Sequence, residues 1–284
     1  MRSRPAPSVS ARLPGAGLMV LYAFTAFALL GYATFGLHPG LLARYPQFAR
    51  FYGISFQFFA QAQIYLAWAV LAGVLALYAR ARWVPAFCAL YGLSLCSELL
   101  GTGAGIPFGE YHYTEALGPR WFGAVPIVIP LSWFFMALPS YDAARAALPG
   151  RPLARVLVAS LILLSWDLAL DPAMSHATAY WVWGEPGAYY GMPWLNLFGW
   201  YVTGLALMGA LAALRADGWV ARVPVRWMLA FYGANLLLPV GMSAAAGMWG
   251  AVAATAAALA GAALVARALG RTGEARTSMV GAPA

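Results

Sequence analysis

Seven of the nine acidic residues in this 284-residue chain (Glu98, Glu110, Glu115, Asp142, Asp167, Asp171 and Glu185) fall between positions 98 and 185. They concentrate in two segments, where histidines and aromatic rings crowd the ends of apolar runs long enough to cross a bilayer. The first runs from Ser97-Glu98 through Phe108-Gly109-Glu110-Tyr111-His112-Tyr113 to Trp121. The second runs from Trp166-Asp167 through Asp171-Pro172 and His176 to Tyr189-Tyr190-Gly191 and Asn196. An ionisable side chain at membrane depth is costly, so its default reading is functional. Asp167 and Asp171 are four residues apart, which puts them on one helical face. Pro172 disfavours helical geometry just before it, so the pair occupies a last turn. Glu98 likewise stands just before the stretch Gly101-Thr102-Gly103-Ala104-Gly105. The negative end of a helix opposes a carboxylate beside it. Three acids so placed in an apolar pocket are candidates to carry a proton and donate it as general acids. The plainer alternative is that they accept hydrogen bonds and pin helices together.

Aromatic residues surround these acids. An interfacial belt accounts for part of them, and the remaining ring faces are suited to stabilise a cation formed during a reaction. Asp171, Asp167, Glu98 and Glu110 are therefore the catalytic candidates. Tyr111, Tyr113, Trp133, Trp166, Trp181, Tyr190, Asn196 and Trp200 are the candidate substrate contacts. His112 and His176 are candidate proton relays, and their placement matches no metal-ligand spacing. Asp167-x-x-x-Asp171 also invites a magnesium–diphosphate site. Such a site needs more carboxylates on a second helix and cations near the phosphate, whereas the arginines lie almost entirely at the other ends of the helices.

The elements that must position these residues follow from composition. A chain that is 63% hydrophobic and 9% charged is far from a soluble domain, in which about a quarter of residues are charged. Apolar runs of about 20 residues match the hydrocarbon thickness of a membrane, and a β-barrel would show short alternating segments instead. The expected fold is an all-α polytopic membrane protein with about eight transmembrane helices, near 16–37, 57–79, 83–100, 124–141, 154–171, 194–214, 226–243 and 247–268. Residues 41–53 read as an interfacial loop or short surface helix. An N-terminal extension (1–15) and a disordered tail (269–284) flank the single transmembrane domain (16–268). Arg2, Arg4 and Arg12 resemble the start of a signal peptide, but the run that follows is long and a retained span is expected. All 17 basic residues are arginines. With the N-terminus inside, Arg44, Arg50 and Arg120 alone fall in outer loops, the bias expected of eight spans with both termini cytoplasmic in the cell membrane. The dispersed arginines thus suit orientation rather than nucleic acid. The loops 101–123 and 172–193 then share the outer side and can meet above one cavity. Cys88 and Cys96, two turns apart on one run, read as packing residues.

Several stretches together resemble the integral-membrane carotenoid biosynthesis proteins, a family that includes carotenoid 1,2-hydratases of the bisanhydrobacterioruberin-hydratase type. They are Phe108-Gly109-x-Tyr111-x-Tyr113-Thr114, Val125-Pro126-x-x-Ile129-Pro130-x-x-Trp133, Asp171-Pro172-x-Met174, Tyr180-Trp181-x-Trp183 and Tyr189-Tyr190-Gly191-x-Pro193-x-x-Asn196-x-x-Gly199-Trp200. The likeness covers roughly 20–245. It implies cofactor-free addition of water across the terminal C1–C2 double bond of an acyclic carotenoid end, with the substrate entering from the bilayer and other carotenoid enzymes as partners. The chemical assignment is Asp171 or Asp167 as proton donor and Glu98 or Glu110 as the residue that orients water. A carotenoid cyclase or isomerase would share the protonation and differ in what quenches the cation. A transporter or scaffold is the alternative from another class. It would carry polar groups through the bilayer centre, where this chain has few.

Overall fold

The computed structural model describes the backbone from Val9 to Val280 and the side chains of residues 13–271. Long apolar runs become helices because a backbone in lipid must satisfy its own hydrogen bonds. In chain order the elements begin with α1 (Val9–Gly31), a π turn (Tyr32–Gly36), α2 (Pro39–Arg44), a 3₁₀ turn (Pro46–Phe48), α3 (Ala49–Ala79) and α4 (Val84–Ala104). Three short strands follow, β1 (Tyr111–Tyr113), β2 (Arg120–Trp121) and β3 (Val125–Pro126), then α5 (Val128–Ala147) and α6 (Pro152–Asp171). A second π turn (Pro172–His176), β4 (Trp181–Trp183), α7 (Trp194–Ala213), α8 (Asp217–Val220), α9 (Val225–Ala245) and α10 (Trp249–Val280) complete the described chain.

Among the described residues, eight long helices fall in the eight expected places, and the chain is an all-α polytopic membrane protein. Seven of these regions are long and apolar enough to cross a membrane. The eighth, α5, is of similar length but sits inside the bundle, with 16 of its 20 residues buried against α3, α4, α6, α7 and α9. That enclosure is why α5 tolerates Ser132, Ser140, Tyr141 and Asp142: they face protein rather than lipid.

Three local readings differ. Of residues 41–53, expected as an interfacial loop or short surface helix, 41–44 lie in the short helix α2 but 49–53 open α3, where Tyr52 packs on Phe35 and, just beyond, Phe56 stacks on Tyr180 at 5.2 Å. α10 continues past 268 to Val280. Residues 281–284 of the expected tail, and 1–8 of the N-terminal extension, lie outside the described residues. Cys88 and Cys96 are free thiols exposed on the outside of the bundle; they do not pack in its core.

The two ends of the bundle differ in character. At one end the α3–α4, α5–α6 and α7–α9 connections gather Arg82, Arg145, Arg155 and Arg215. There Asp217 accepts hydrogen bonds from Arg155 and, at 2.7 Å, from the hydroxyl of Tyr141. Asp142 pairs with Arg145 at 2.7 Å. At the other end the long loops after α4 and α6 meet: β1 and β4 pair antiparallel, with Tyr111 opposite Trp183 and Tyr113 opposite Trp181. This small sheet, formed by segments about 70 residues apart in sequence, caps the site.

Candidate active site

Beneath the cap lies a cavity of about 790 Å³, within the size range of small-molecule sites. Its wall is apolar and aromatic. One side is built by α1, the first π turn, α2 and the start of α3, and the other by α5, α6, α7 and α9. The cavity opens on the first side, where lining residues such as Phe27, Phe48 and Phe51 are exposed. It closes against Glu98 and Asp171, which are 4% and 1% exposed.

Glu98 stands in the penultimate turn of α4. Its Oε2 accepts hydrogen bonds from the hydroxyls of Tyr111 and Tyr113, the latter at 2.7 Å, and its Oε1 accepts from Trp133 Nε1 at 2.8 Å. Strand alternation explains the first two partners: Tyr111 and Tyr113 point inward from β1, and His112 between them points out. Burial, reinforced by the charge of Glu98, pushes both phenols well above their ordinary value. They therefore remain protonated and remain donors. The loop can approach this closely because of two glycines. A Cβ on Gly101 would stand 2.9 Å from the Tyr111 hydroxyl and 2.8 Å from the Phe108 ring. A Cβ on Gly199 would stand 2.6 Å from the other edge of Phe108.

Asp171 ends α6 and is held differently. Its carboxylate receives Trp181 Nε1 at 3.1 Å and Trp183 Nε1 at 3.2 Å, both long contacts from β4. Its Oδ1 lies 2.7 Å from Ser175 Oγ, which is also 2.9 Å from the backbone carbonyl of Asp171. The serine has one hydroxyl proton, so it can donate to that carbonyl while accepting a hydrogen bond from the protonated carboxyl. Asp171 thus has a place to keep a proton, whereas Glu98 has three donors pointed at it and no acceptor.

Asp167, one turn earlier, is wholly buried and does not line the cavity. Asn196, which does, donates its amide to Asp167 Oδ2 at 2.8 Å. Trp200, one turn along α7, stacks on Trp133 with centroids 4.0 Å apart, and Trp166 meets Trp200 edge-on at 5.8 Å. Two carboxyl groups therefore face a wall of indole and phenol, and among the described lining residues there is no arginine or histidine. Such a lining suits a transient carbocation and offers nothing to a diphosphate.

Of the candidate residues, Glu98, Asp171, Tyr111, Tyr113, Trp133, Trp166, Trp181, Asn196 and Trp200 come together on this cavity. Glu110, His112, His176 and Tyr190 do not line it. Glu110 and both histidines are exposed, and Tyr190 packs against His176 and Tyr189 in the outer loop. Among the described residues no three His, Cys, Asp or Glu side chains group as a metal would require. Sequence reasoning missed Ser175, the closeness of the backbone at Gly101 and Gly199, and the cavity mouth between residues 27 and 60. For the mouth, the signal was the density of Phe and Tyr over 45–59.

Comparison with known proteins adds a family. A model described as "Carotenoid biosynthesis protein" matches residues 58–262, which span the whole cavity except its mouth. The chain is 35% identical over 122 residues to a protein named bisanhydrobacterioruberin hydratase from Haloarcula japonica. That match covers 41% of this chain and 41% of the relative. No solved structure matches the chain.

Proposed function

The chain belongs to the carotenoid biosynthesis protein family, and from that premise we propose that it is a carotenoid 1,2-hydratase. Its substrate is an acyclic carotenoid end: lycopene, a monocyclic carotene or a C50 precursor. The name of the Haloarcula relative supports hydration as the reaction class. The observation that carries the reading is the cavity itself, a membrane-depth apolar pocket closed by two carboxyl groups and walled by indole faces.

The steps balance without a cofactor. The carboxyl proton of Asp171 goes to C2 of the terminal double bond, leaving a tertiary cation at C1 and a carboxylate on Asp171. Trp133, Trp166 and Trp200 present ring faces and edges to that cation. The oxygen of a water molecule bonds C1, and its released proton goes to Glu98, giving the 1-hydroxy product. Transfer of one proton from Glu98 back to Asp171 restores the starting state. The assignment of Asp171 as donor rests on Ser175, whose hydroxyl can turn to the backbone carbonyl and accept a hydrogen bond from the protonated carboxyl. The assignment of Glu98 as acceptor rests on its three donors. Glu110 and the two histidines take no part in this scheme.

The polyene enters sideways from the bilayer through the mouth between α1 and α3, whose lining is mostly apolar and aromatic. We place the chain in the cell membrane with both termini cytoplasmic, the arginine-rich end inside and the site towards the outer face. Other carotenoid-modifying enzymes are its natural partners, since supply and product both stay in the lipid. Cells that make lycopene and express the chain should accumulate a carotenoid heavier by one water. A cyclised or isomerised product of unchanged mass would contradict hydration.

A further inference from the structure

Asp167 is a buried carboxyl that the scheme above leaves unused. It is 0% exposed, its Oδ1 has no hydrogen-bond partner, and its Oδ2 is held by Asn196 alone among the described residues. A buried acid with a single partner is expensive to keep, and that partner stands on the cavity wall. We infer that Asn196 holds the attacking water and that Asp167 positions Asn196 for this task; the inference rests on the hydratase reading.

The chemistry of the side chain leads there. A carboxamide has two donors on nitrogen and an acceptor on oxygen. The nitrogen of Asn196 is committed to Asp167 Oδ2 at 2.8 Å and to Met192 Sδ at 2.9 Å. Asp167, as an acceptor, thereby selects which way round the amide sits and leaves Asn196 Oδ1 as the atom to face the cavity. Position fits as well. Asn196 and Trp200 are four residues apart on one face of α7, and Trp200 stacks on the Trp133 that donates to Glu98. A water accepted by Asn196 Oδ1 thus lies on the Glu98 side of the cavity, one proton bonded to the amide oxygen and the other available to Glu98. Its oxygen lone pair is left for C1. Asn196 touches the water; Asp167 is a positioning residue.

The test separates water capture from protonation. In D2O the carboxyl of Asp171 carries deuterium, so every cation formed gains deuterium at C2. If water is not held, the cation returns a proton from C2 or from a C1 methyl to a carboxylate. An alkene re-forms, deuterated but not hydrated. For Asn196→Ala in membranes supplied with lycopene, hydrated product should fall by about ten- to a hundredfold. Deuterium should meanwhile accumulate in the recovered alkene. Asn196→Asp, which sets two carboxylates face to face, should fail in the same way. The exchanged pair Asp167→Asn with Asn196→Asp should recover hydration, because the amide now donates from 167 and a carboxylate oxygen still faces the cavity. The inference is overturned if Asn196→Ala loses deuteration and hydration in parallel, as a merely structural lesion would, or if it hydrates normally. An exchanged pair that inserts normally yet stays inactive overturns the role of Asp167. A wild-type protein that yields no hydrated product at all contradicts the hydratase reading itself, a different result from any of these.

Discussion

At the scale of single residues, the proposed chemistry rests on two acids that look alike in composition and differ in their partners. Asp171→Asn removes the proton to be donated while keeping the shape and one of the two tryptophan contacts, since the amide nitrogen cannot accept from the other indole. Hydration should fall by about 10²–10⁴-fold, the span of general-acid effects, in protein that still inserts. Turnover per inserted molecule is the quantity to measure. Glu98→Gln should also abolish most activity, because a neutral amide cannot take the proton from water. Ser175→Ala is the finer probe: it leaves both acids in place and removes the acceptor that seats the carboxyl proton, so turnover should drop by less than in Asp171→Asn. Equal turnover in Ser175→Ala and wild type would refute that seat. Both acids were legible because a carboxylate at the end of an apolar run has few bland explanations. Asp167 was legible as an acid but not as one set behind the wall. The i, i+4 spacing places two residues on one face without saying which of them a neighbouring helix covers.

At the scale of elements, the site depends on loops held against helices by closeness rather than by many bonds. Gly101→Ala should displace Tyr111 from Glu98, since its Cβ would meet the ring and the hydroxyl at 2.9 Å. Activity should fall while the bundle stays folded. Gly199→Ala is expected to be worse for stability, because its Cβ would meet the backbone carbonyl of Pro107 at 2.8 Å, which cannot swing away. Overpacking of this kind costs about 1–3 kcal/mol, measurable as a lower midpoint of thermal unfolding in detergent. At the opposite end, Asp217→Asn should lower that midpoint too, since Asp217 is 46% exposed but its partner Arg155 only 9%, and a buried cation is left without its counter-charge; turnover should not change. The helices were legible from run length alone. The β1–β4 pairing was not, because a three-residue strand is too short to carry a periodic signal. Read as a strand, Tyr111-His112-Tyr113 would have put both tyrosines inside and His112 outside, which is what the fold does.

For the whole molecule, the apolar outside, the arginine-rich end and the capped acidic end fit the proposed enzyme, with a substrate that stays in the lipid. The mouth escaped the sequence reading because residues 27–60 contribute apolar bulk from several separate elements, and only the fold turns them into one opening. If the mouth is the entrance, Phe56→Trp should narrow the passage beside Tyr180 and slow turnover of the polyene. It should leave the wild-type fall in activity on Asp171→Asn unchanged, because the acids lie beyond it. The most direct test of the central claim uses isotopically labelled water. Membranes containing the protein and lycopene, incubated in H2¹⁸O, should yield a product with one ¹⁸O per hydrated end, and Asp171→Asn membranes should yield almost none. Lycopene recovered unchanged from wild-type membranes, or a product whose oxygen comes from O2 rather than water, would contradict the account.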